Sequence, residues 1–192
     1  MGKIKQTKQG TYLCILRIAL ILASVAMMAF IFSNSLKTAE QSTQQSSNVV
    51  DLVQKVAAVI APDSQIANAT GEAYDVLQSV IRSMAHFLEF CLLGALFSWT
   101  CFSYTFRKIW QISPAAGVAV VSITDESLQL IPTARAFQFT DILVDVSGGV
   151  CGVGFAILCV WIGVCVYRNR KNKKEKARLL AELAAGEQPE EK

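Results

Sequence analysis

The chain has 192 residues, of which 53% are hydrophobic and 17% are charged, and its mean hydropathy is positive at +0.40. A soluble domain carries about 25% charged residues, and a chain of this size leaves much of its surface exposed. The composition therefore excludes an ordinary soluble domain and indicates a protein of the lipid bilayer. The low counts, 11 glycines and 4 prolines, exclude collagen-like and low-complexity classes.

The first predicted element is a membrane span over residues 12–32. A bilayer core of about 30 Å requires roughly 20 consecutive apolar residues in a helix, and this window contains one charged residue, Arg17, whose long side chain can reach the interface. Lys3, Lys5 and Lys8 precede the window, as in a signal peptide. Because the apolar run is longer than a signal-peptide core and no small-x-small pattern closes it, we expect a retained anchor rather than a cleaved leader.

An external segment over residues 33–83 follows, with two helical stretches. Apolar residues recur at helical spacing over 49–60, with Ser47 as the predicted N-cap and Pro62 just beyond the end. This amphipathic helix either lies in the outer headgroup layer or packs on the mouth of the bundle. A second apolar stripe begins after Gly71 and leads into the second span.

Three further spans are predicted over residues 84–106, 110–130 and 141–167. Each is apolar over most of its length, and the last is acidic only in its first turns, up to Asp145. The predicted fold class is therefore all-α: an integral membrane bundle of four transmembrane helices, with an extracytoplasmic helical segment between the first and the second.

The lysines and arginines set the predicted orientation. They concentrate in the N-terminal residues 1–11, in the loop after the second span, and in the tail 168–192, which flank the predicted membrane domain 12–167. Four spans place these three basic segments on one side, so we expect a multi-pass plasma-membrane protein with both termini in the cytoplasm. Their charge suits anionic membrane lipids, and we expect no nucleic-acid partner.

The six cysteines lie inside apolar runs, without a CxxC pair or a nearby histidine, so we expect them to behave as small hydrophobic residues. Neither an EF-hand spacing nor a zinc-ligand spacing is present in the sequence. The sequence therefore predicts no cofactor and no bound metal. A calcium or magnesium site in an oxygen-rich cluster stays the less favoured alternative.

Ionisable residues inside the predicted spans are concentrated at the outer ends of the last three. Such residues destabilise insertion by roughly 2.5 to 3.5 kcal/mol each at a helix centre, so each needs a partner or a function. Helical spacing places Arg82, His86 and Glu89 on one edge of the second span. It likewise places Asp141 and Asp145 on one edge of the fourth span. The third span carries three polar residues at its outer end: Asp125, Glu126 and Gln129.

These edges predict an outward-facing polar pocket, or alternatively a buried network that fixes helix register. On the fourth span, small residues continue the face of Asp145 and allow another helix to approach closely. They are Gly148, Gly149 and Gly152.

Two stretches resemble the VanZ-like membrane protein family. The first runs over residues 82–94 and contains the family's His-x-x-Glu-aromatic segment, formed by His86, Glu89 and Phe90. The second is an ordered series with the family's spacing: Asp125-Glu126, Gln129, Pro132, Arg135, Asp141, Asp145 and Gly148. The segment Phe32-Ser33-Asn34-Ser35 is also similar to a Phe-Ser-Ser stretch after the family's first span. The resemblance covers about residues 12–160.

The chain departs from the family pattern at two positions that bear on proton transfer. Phe90 stands where a tyrosine is usual, and Leu128 stands where a histidine is frequent. These departures remove a hydroxyl and an imidazole and weaken the case for a proton-shuttling role.

The first functional hypothesis is that the pocket binds a cell-envelope or lipid-linked headgroup, such as that of a lipid-linked cell-wall precursor or a lipoglycopeptide. Arg135 and Arg82 would hold a phosphate. The family is named for a protein linked to teicoplanin resistance, so the resemblance implies a contribution to glycopeptide resistance. Nine residues are the candidate binding set: Arg82, His86, Glu89, Asp125, Glu126, Gln129, Arg135, Asp141 and Asp145.

The alternative hypothesis is an intramembrane enzyme acting on a lipid or a lipid-linked glycan. His86 would serve as general acid or base, with Glu89 or Glu126 as its partner. The sequence offers no clear nucleophile and no GxSxG, HExxH or P-loop motif, so binding is the preferred hypothesis.

Overall fold

The described part of the chain consists of α-helices joined by short connections, which confirms the all-α class. In the computed structural model, residues 2–105, 109–131 and 138–186 are described, and they form α1 (Gly2–Ser35), α2 (Ala39–Ile60), α3 (Glu72–Tyr104), α4 (Ile109–Gln129) and α5 (Phe139–Gly186). The chain forms two compact units, Met1–Gly154 and Phe155–Lys192. The second unit comprises the C-terminal part of α5 and the residues after it, and every side chain of the site lies in the first unit.

Three helices are long and apolar enough to cross a bilayer: Gly10–Ser35, Glu72–Tyr104 and Phe139–Leu180. In the first, only 11% of the most apolar window is buried inside the protein. Large side chains such as Ile15, Leu22 and Phe30 are therefore exposed, and the hydrophobic effect favours lipid rather than water around them. The chain is thus a multi-pass membrane protein with three candidate spans.

The predicted third span, 110–130, forms helix α4, but the described residues of α4 do not make a candidate span. Asp125, Glu126 and Gln129 occupy its last turns, and all three are buried. These polar residues shorten the apolar run of α4. Their side chains are buried inside the protein, where α4 packs against α1 and α3. The structure therefore supports three candidate spans where the sequence predicted four.

Helix α2 begins earlier than the sequence predicted, and the prediction of Ser47 as its N-cap is wrong. The N-cap is Thr38, whose hydroxyl accepts a hydrogen bond from the backbone N–H of Gln41, while the Gln41 side chain accepts one from the backbone N–H of Thr38. This capping box starts the helix inside a polar stretch that lacks the apolar repeat. Ser47 instead donates to a carbonyl within the helix. The helix ends at Ile60, as predicted.

Helix α3 begins directly after Gly71, as the second apolar stripe predicted. Gly71 has φ of 57°, a left-handed conformation that favours glycine. The turn folds α2 back onto the start of α3, where the Gln78 amide donates to the Thr43 carbonyl at 2.9 Å. On α2, the Gln54 amide donates to the Ala69 carbonyl at 2.8 Å. The predicted amphipathic helix, α2, is therefore packed on α3.

Helices α3 and α5 approach each other at glycines, as the small residues of α5 predicted. A Cβ atom at Gly94 would collide with the carbonyl group of Gly149, and one at Gly152 would collide with the carbonyl group of Cys91. A Cβ atom at Gly148 would likewise meet the backbone of Phe87. Only residues without side chains permit such backbone contact.

Two further contacts fix α1 against the rest of the first unit. The Arg17 guanidinium donates two hydrogen bonds to the Ser103 carbonyl, at 3.0 and 2.7 Å, and lies 4.4 Å from the ring centroid of Tyr104. The charge inside the first span therefore has protein partners. A buried apolar cluster lies between α1, α3 and α4 and consists of Ile31, Phe90, Leu93, Val118 and Val121.

All six cysteines are free thiols.

Replacing Gly152 by alanine should destabilise the protein, because the new methyl group would overlap the Cys91 carbonyl. Overpacking of this kind costs about 1–3 kcal/mol. Gly154→Ala is the matched control, since a Cβ atom there meets no atom within 4 Å. Thermal unfolding in detergent should show a lower midpoint for Gly152→Ala and an equal or higher one for Gly154→Ala. Equal midpoints would show that the α3–α5 contact is not tight.

Candidate functional site

A polar cavity of about 340 Å³ lies among α3, α4 and the start of α5. Its walls include six of the nine predicted binding residues: Arg82, His86, Glu126, Gln129, Asp141 and Asp145. The cavity is within the size range of ligand pockets, about 300–1,000 Å³. The convergence of the three polar edges that helical spacing predicted is thus present in the structure.

A second cavity, of about 350 Å³, lies among α1, α2 and α3 and shares Arg82, His86 and Gln129 with the first. Glu89, a seventh predicted residue, lines this second cavity. Its carboxylate accepts a hydrogen bond from the Asn34 amide at 3.1 Å, and the Asn34 oxygen accepts one from Lys37 at 2.8 Å. Glu89 therefore faces α1 rather than the wall formed by α4 and α5.

The two cavities meet at a compact group of titratable side chains. His86 Nδ1 lies 3.7 Å from Asp145 Oδ1. One ligand atom each of His86, Asp125 and Asp145 can be chosen so that all three lie within 4.8 Å of one another. Asp125 and Asp145 are 0% and 2% exposed, so these two carboxyl groups have almost no contact with bulk solvent. Buried charges require partners.

Neighbouring side chains supply part of that compensation. Asp125 accepts hydrogen bonds from the Ser35 hydroxyl at 2.5 Å and from the Gln129 amide at 3.2 Å. Asp145 accepts one from the Ser122 hydroxyl, at 3.0 Å to Oδ2. These bonds fix the orientation of both carboxyl groups. Hydrogen bonds to a charged group contribute about 1.5–3 kcal/mol each.

Three buried carboxylate oxygens of the site accept no hydrogen bond from the part of the chain that the structure describes: Glu89 Oε2, Glu126 Oε2 and Asp145 Oδ1. The other oxygen of Glu126 accepts a bond from the backbone N–H of Gln138 at 2.6 Å. Glu126 and Asp145 both line the 340 Å³ cavity. A buried acceptor without a donor destabilises a protein by about 1–3 kcal/mol, so a donor or a cation at any of these oxygens would stabilise the protein.

Eight of the nine predicted binding residues thus belong to the two adjoining cavities or to the buried group between them. Arg135, the ninth, lies outside the described residues.

Sequence reasoning did not include Asn34, Ser35 and Ser122 in the site. The first two lie in the Phe-Ser-Asn-Ser segment that resembles the family's stretch after the first span, and this was the available signal. Ser122 lies one turn before Glu126 on α4 and gave no separate signal.

The comparisons with known proteins identify one family. The model of the family described as VanZ/LLP1 matches residues 20–163, which is well over half of the chain. No curated protein and no solved structure matches the chain significantly. The match covers every residue of the two cavities.

Replacing Ser35 by alanine should lower stability by about 1–3 kcal/mol, because it removes the hydroxyl that donates to the buried Asp125. Ser33→Ala is the matched control, since Ser33 is exposed and donates to a carbonyl of its own helix. Thermal unfolding in detergent measures both variants. Equal losses for the two would argue against a stabilising role for the Ser35–Asp125 bond.

Proposed function

The chain belongs to the VanZ/LLP1 family, and from this premise we propose that the 340 Å³ cavity binds the polar headgroup of a lipid-linked or other cell-envelope molecule. The observation that carries the proposal is the wall of the cavity, where the described residues include a guanidinium, carboxylates, two amides and an imidazole. Groups of both charges in one cavity suit a ligand that carries phosphate together with hydroxyl or amine groups.

Arg82 is the phosphate ligand in this proposal. It is half-buried and lines both cavities, so a headgroup in either cavity can reach it. A guanidinium binds phosphate with two parallel hydrogen bonds. Arg135 is proposed as the second guanidinium.

Asp141, Glu126 and Gln129 are the proposed acceptors and donors for hydroxyl and amine groups of the same ligand. Glu126 is especially suited, because it lines the cavity, one of its oxygens is held by the Gln138 backbone, and the other is buried without a donor among the described residues. A ligand hydroxyl or ammonium group at this oxygen would remove the unfavourable burial of an unsatisfied acceptor.

The proposal includes a topology. Four spans, with α4 as the third, would place the basic segments at the N-terminus, after α3 and in the tail together in the cytoplasm. The cavity would then face outward, where headgroups of cell-envelope molecules are available.

A second candidate function is catalysis on the same class of ligand. It is favoured by the proximity of His86 Nδ1 to Asp145, at 3.7 Å, on the cavity wall. A carboxylate beside an imidazole orients it for general acid–base catalysis. In this case Glu126 rather than Glu89 is the proposed acid partner, because Glu126 lines the same cavity as His86 and Asp145, whereas Glu89 lines the second cavity. Product formation by purified protein would distinguish an enzyme from a binding protein.

Lipids that co-purify with the protein test the binding proposal. Replacing Arg82 by glutamine removes the guanidinium from the cavity and should reduce the co-purified headgroup lipid about tenfold. Arg168→Gln is the matched control, since Arg168 is an exposed residue of α5 and should leave the lipid unchanged. Mass spectrometry of detergent-purified protein measures the ratio, and equal lipid in all three proteins would contradict the proposal.

A contribution to teicoplanin-type resistance can be tested in cells. Expression in a susceptible bacterium should raise the minimum inhibitory concentration of teicoplanin, and Arg82→Gln should abolish the increase because the headgroup is no longer held. Membrane levels of both proteins, measured by immunoblot, provide the control for expression. An increase that persists in Arg82→Gln at equal protein level would separate resistance from the cavity.

A further inference from the structure

We propose that His86, Asp125 and Asp145 form a binding site for a divalent transition-metal ion, with Zn²⁺ as the favoured ion. The three side chains come from α3, α4 and α5, so no local spacing in the sequence could indicate them as a set. The inference goes beyond the binding of a headgroup and does not depend on it.

The distances suit ligands of one ion better than direct hydrogen bonds. His86 Nδ1 and Asp145 Oδ1 are 3.7 Å apart, which is too long for a hydrogen bond. Two ligand atoms at about 2.1 Å from one Zn²⁺ are about 3.4 Å apart at the tetrahedral angle and at most about 4.2 Å apart. The three ligand atoms, including the Asp125 oxygen, lie within 4.8 Å of one another, up to about 1.4 Å beyond the tetrahedral separation, so side-chain rotation would draw them together when an ion binds.

A buried carboxylate oxygen supplies the second, independent observation. Asp145 is 2% exposed, and its Oδ1, the atom that faces His86, accepts no hydrogen bond from any described residue. Buried carboxylates in proteins are paired or coordinate metals, and a cation held by His86, Asp125 and Asp145 would give Asp145 Oδ1 such a partner.

Both aspartates accept hydrogen bonds from neighbouring side chains, as carboxylate ligands of metal ions commonly do. Ser122 donates to Asp145 Oδ2 and leaves Oδ1 directed at His86. Ser35 and Gln129 hold the Asp125 carboxylate from two sides. Such outer hydrogen bonds orient the ligands and typically change metal affinity by 10–100-fold when removed.

The donor set selects the class of ion. Calcium and magnesium prefer oxygen ligands alone, whereas imidazole together with carboxylates is a ligand set of Zn²⁺. Three protein ligands leave a coordination position for water or substrate, as in catalytic zinc sites. The cavity lined by His86, Asp145 and Glu126 gives an external group access to that position.

Metal binding by the full-length protein in detergent tests the proposal with Zn²⁺ alone as the probe. Metals are first removed with a chelator, and Zn²⁺ is then added back to the metal-free protein. Titration calorimetry, and elemental analysis after free Zn²⁺ is removed, should show about one bound Zn²⁺ per chain. His86→Ala and Asp145→Asn should each lower the affinity tenfold or more, and Asp51→Asn, an exposed carboxylate of α2, should leave it unchanged. Substitution with Co²⁺ should give visible absorption that His86→Ala abolishes.

A wild-type protein that holds no stoichiometric Zn²⁺, or His86→Ala that binds it as the wild type does, would overturn the proposal. His86 is 23% exposed at the side chain, so His86→Ala tests the site even where Asp145→Asn fails to fold. Ser122→Ala keeps all three ligands and should weaken Zn²⁺ binding about tenfold. Arg82→Gln should keep Zn²⁺ and lose the headgroup lipid, so that metal binding and headgroup binding can fail independently.

Discussion

The contact between the backbones of α3 and α5 is the constraint on which the site depends. Gly148 lies against the backbone of Phe87, the neighbour of His86, and Asp145 lies one turn before it on α5. Because no side chain separates the two helices there, His86 and Asp145 reach each other within 3.7 Å. In a bilayer, close packing of this kind holds helices together without a hydrophobic driving force between them. The close approach of the two helices at these glycines therefore sets the geometry of the site.

The polar residues form a network that is satisfied on one side and incomplete on the other. Ser35, Gln129 and Ser122 supply donors to the two buried aspartates, yet one oxygen of Glu126 and one of Asp145 remain without a donor among the described residues. A network whose role is only to fix helix register gains stability when every member is satisfied. Glu126 and Asp145 both line the 340 Å³ cavity, which supports the proposal that a ligand binds there.

Much of this arrangement was predictable from periodicity. Helical spacing placed His86 and Asp145 on polar edges, and the small residues of α5 indicated a close helix contact. The pattern failed where the controlling interaction is local or spatial. The capping box at Thr38 starts α2 in a polar stretch without an apolar repeat, and the grouping of His86, Asp125 and Asp145 exists only after three helices pack. The third predicted span, which forms α4, is not among the candidate spans of the described residues, because Asp125 and Glu126 lower the hydropathy of its last turns.

Two polar contacts between α1 and α3 limit where residues can be inserted into or deleted from these helices. Arg17 is held at Ser103 near one end of α3, and Asn34 is held at Glu89, so α1 and α3 run antiparallel between two polar contacts. About 26 Å of α1 spans the same interval as about 21 Å of α3, and the long arginine side chain covers the difference. One inserted residue would turn the following part of either helix by about 100° and shift it by about 1.5 Å. Insertions and deletions between these contacts should therefore be accepted only in whole helical turns, made in both helices together.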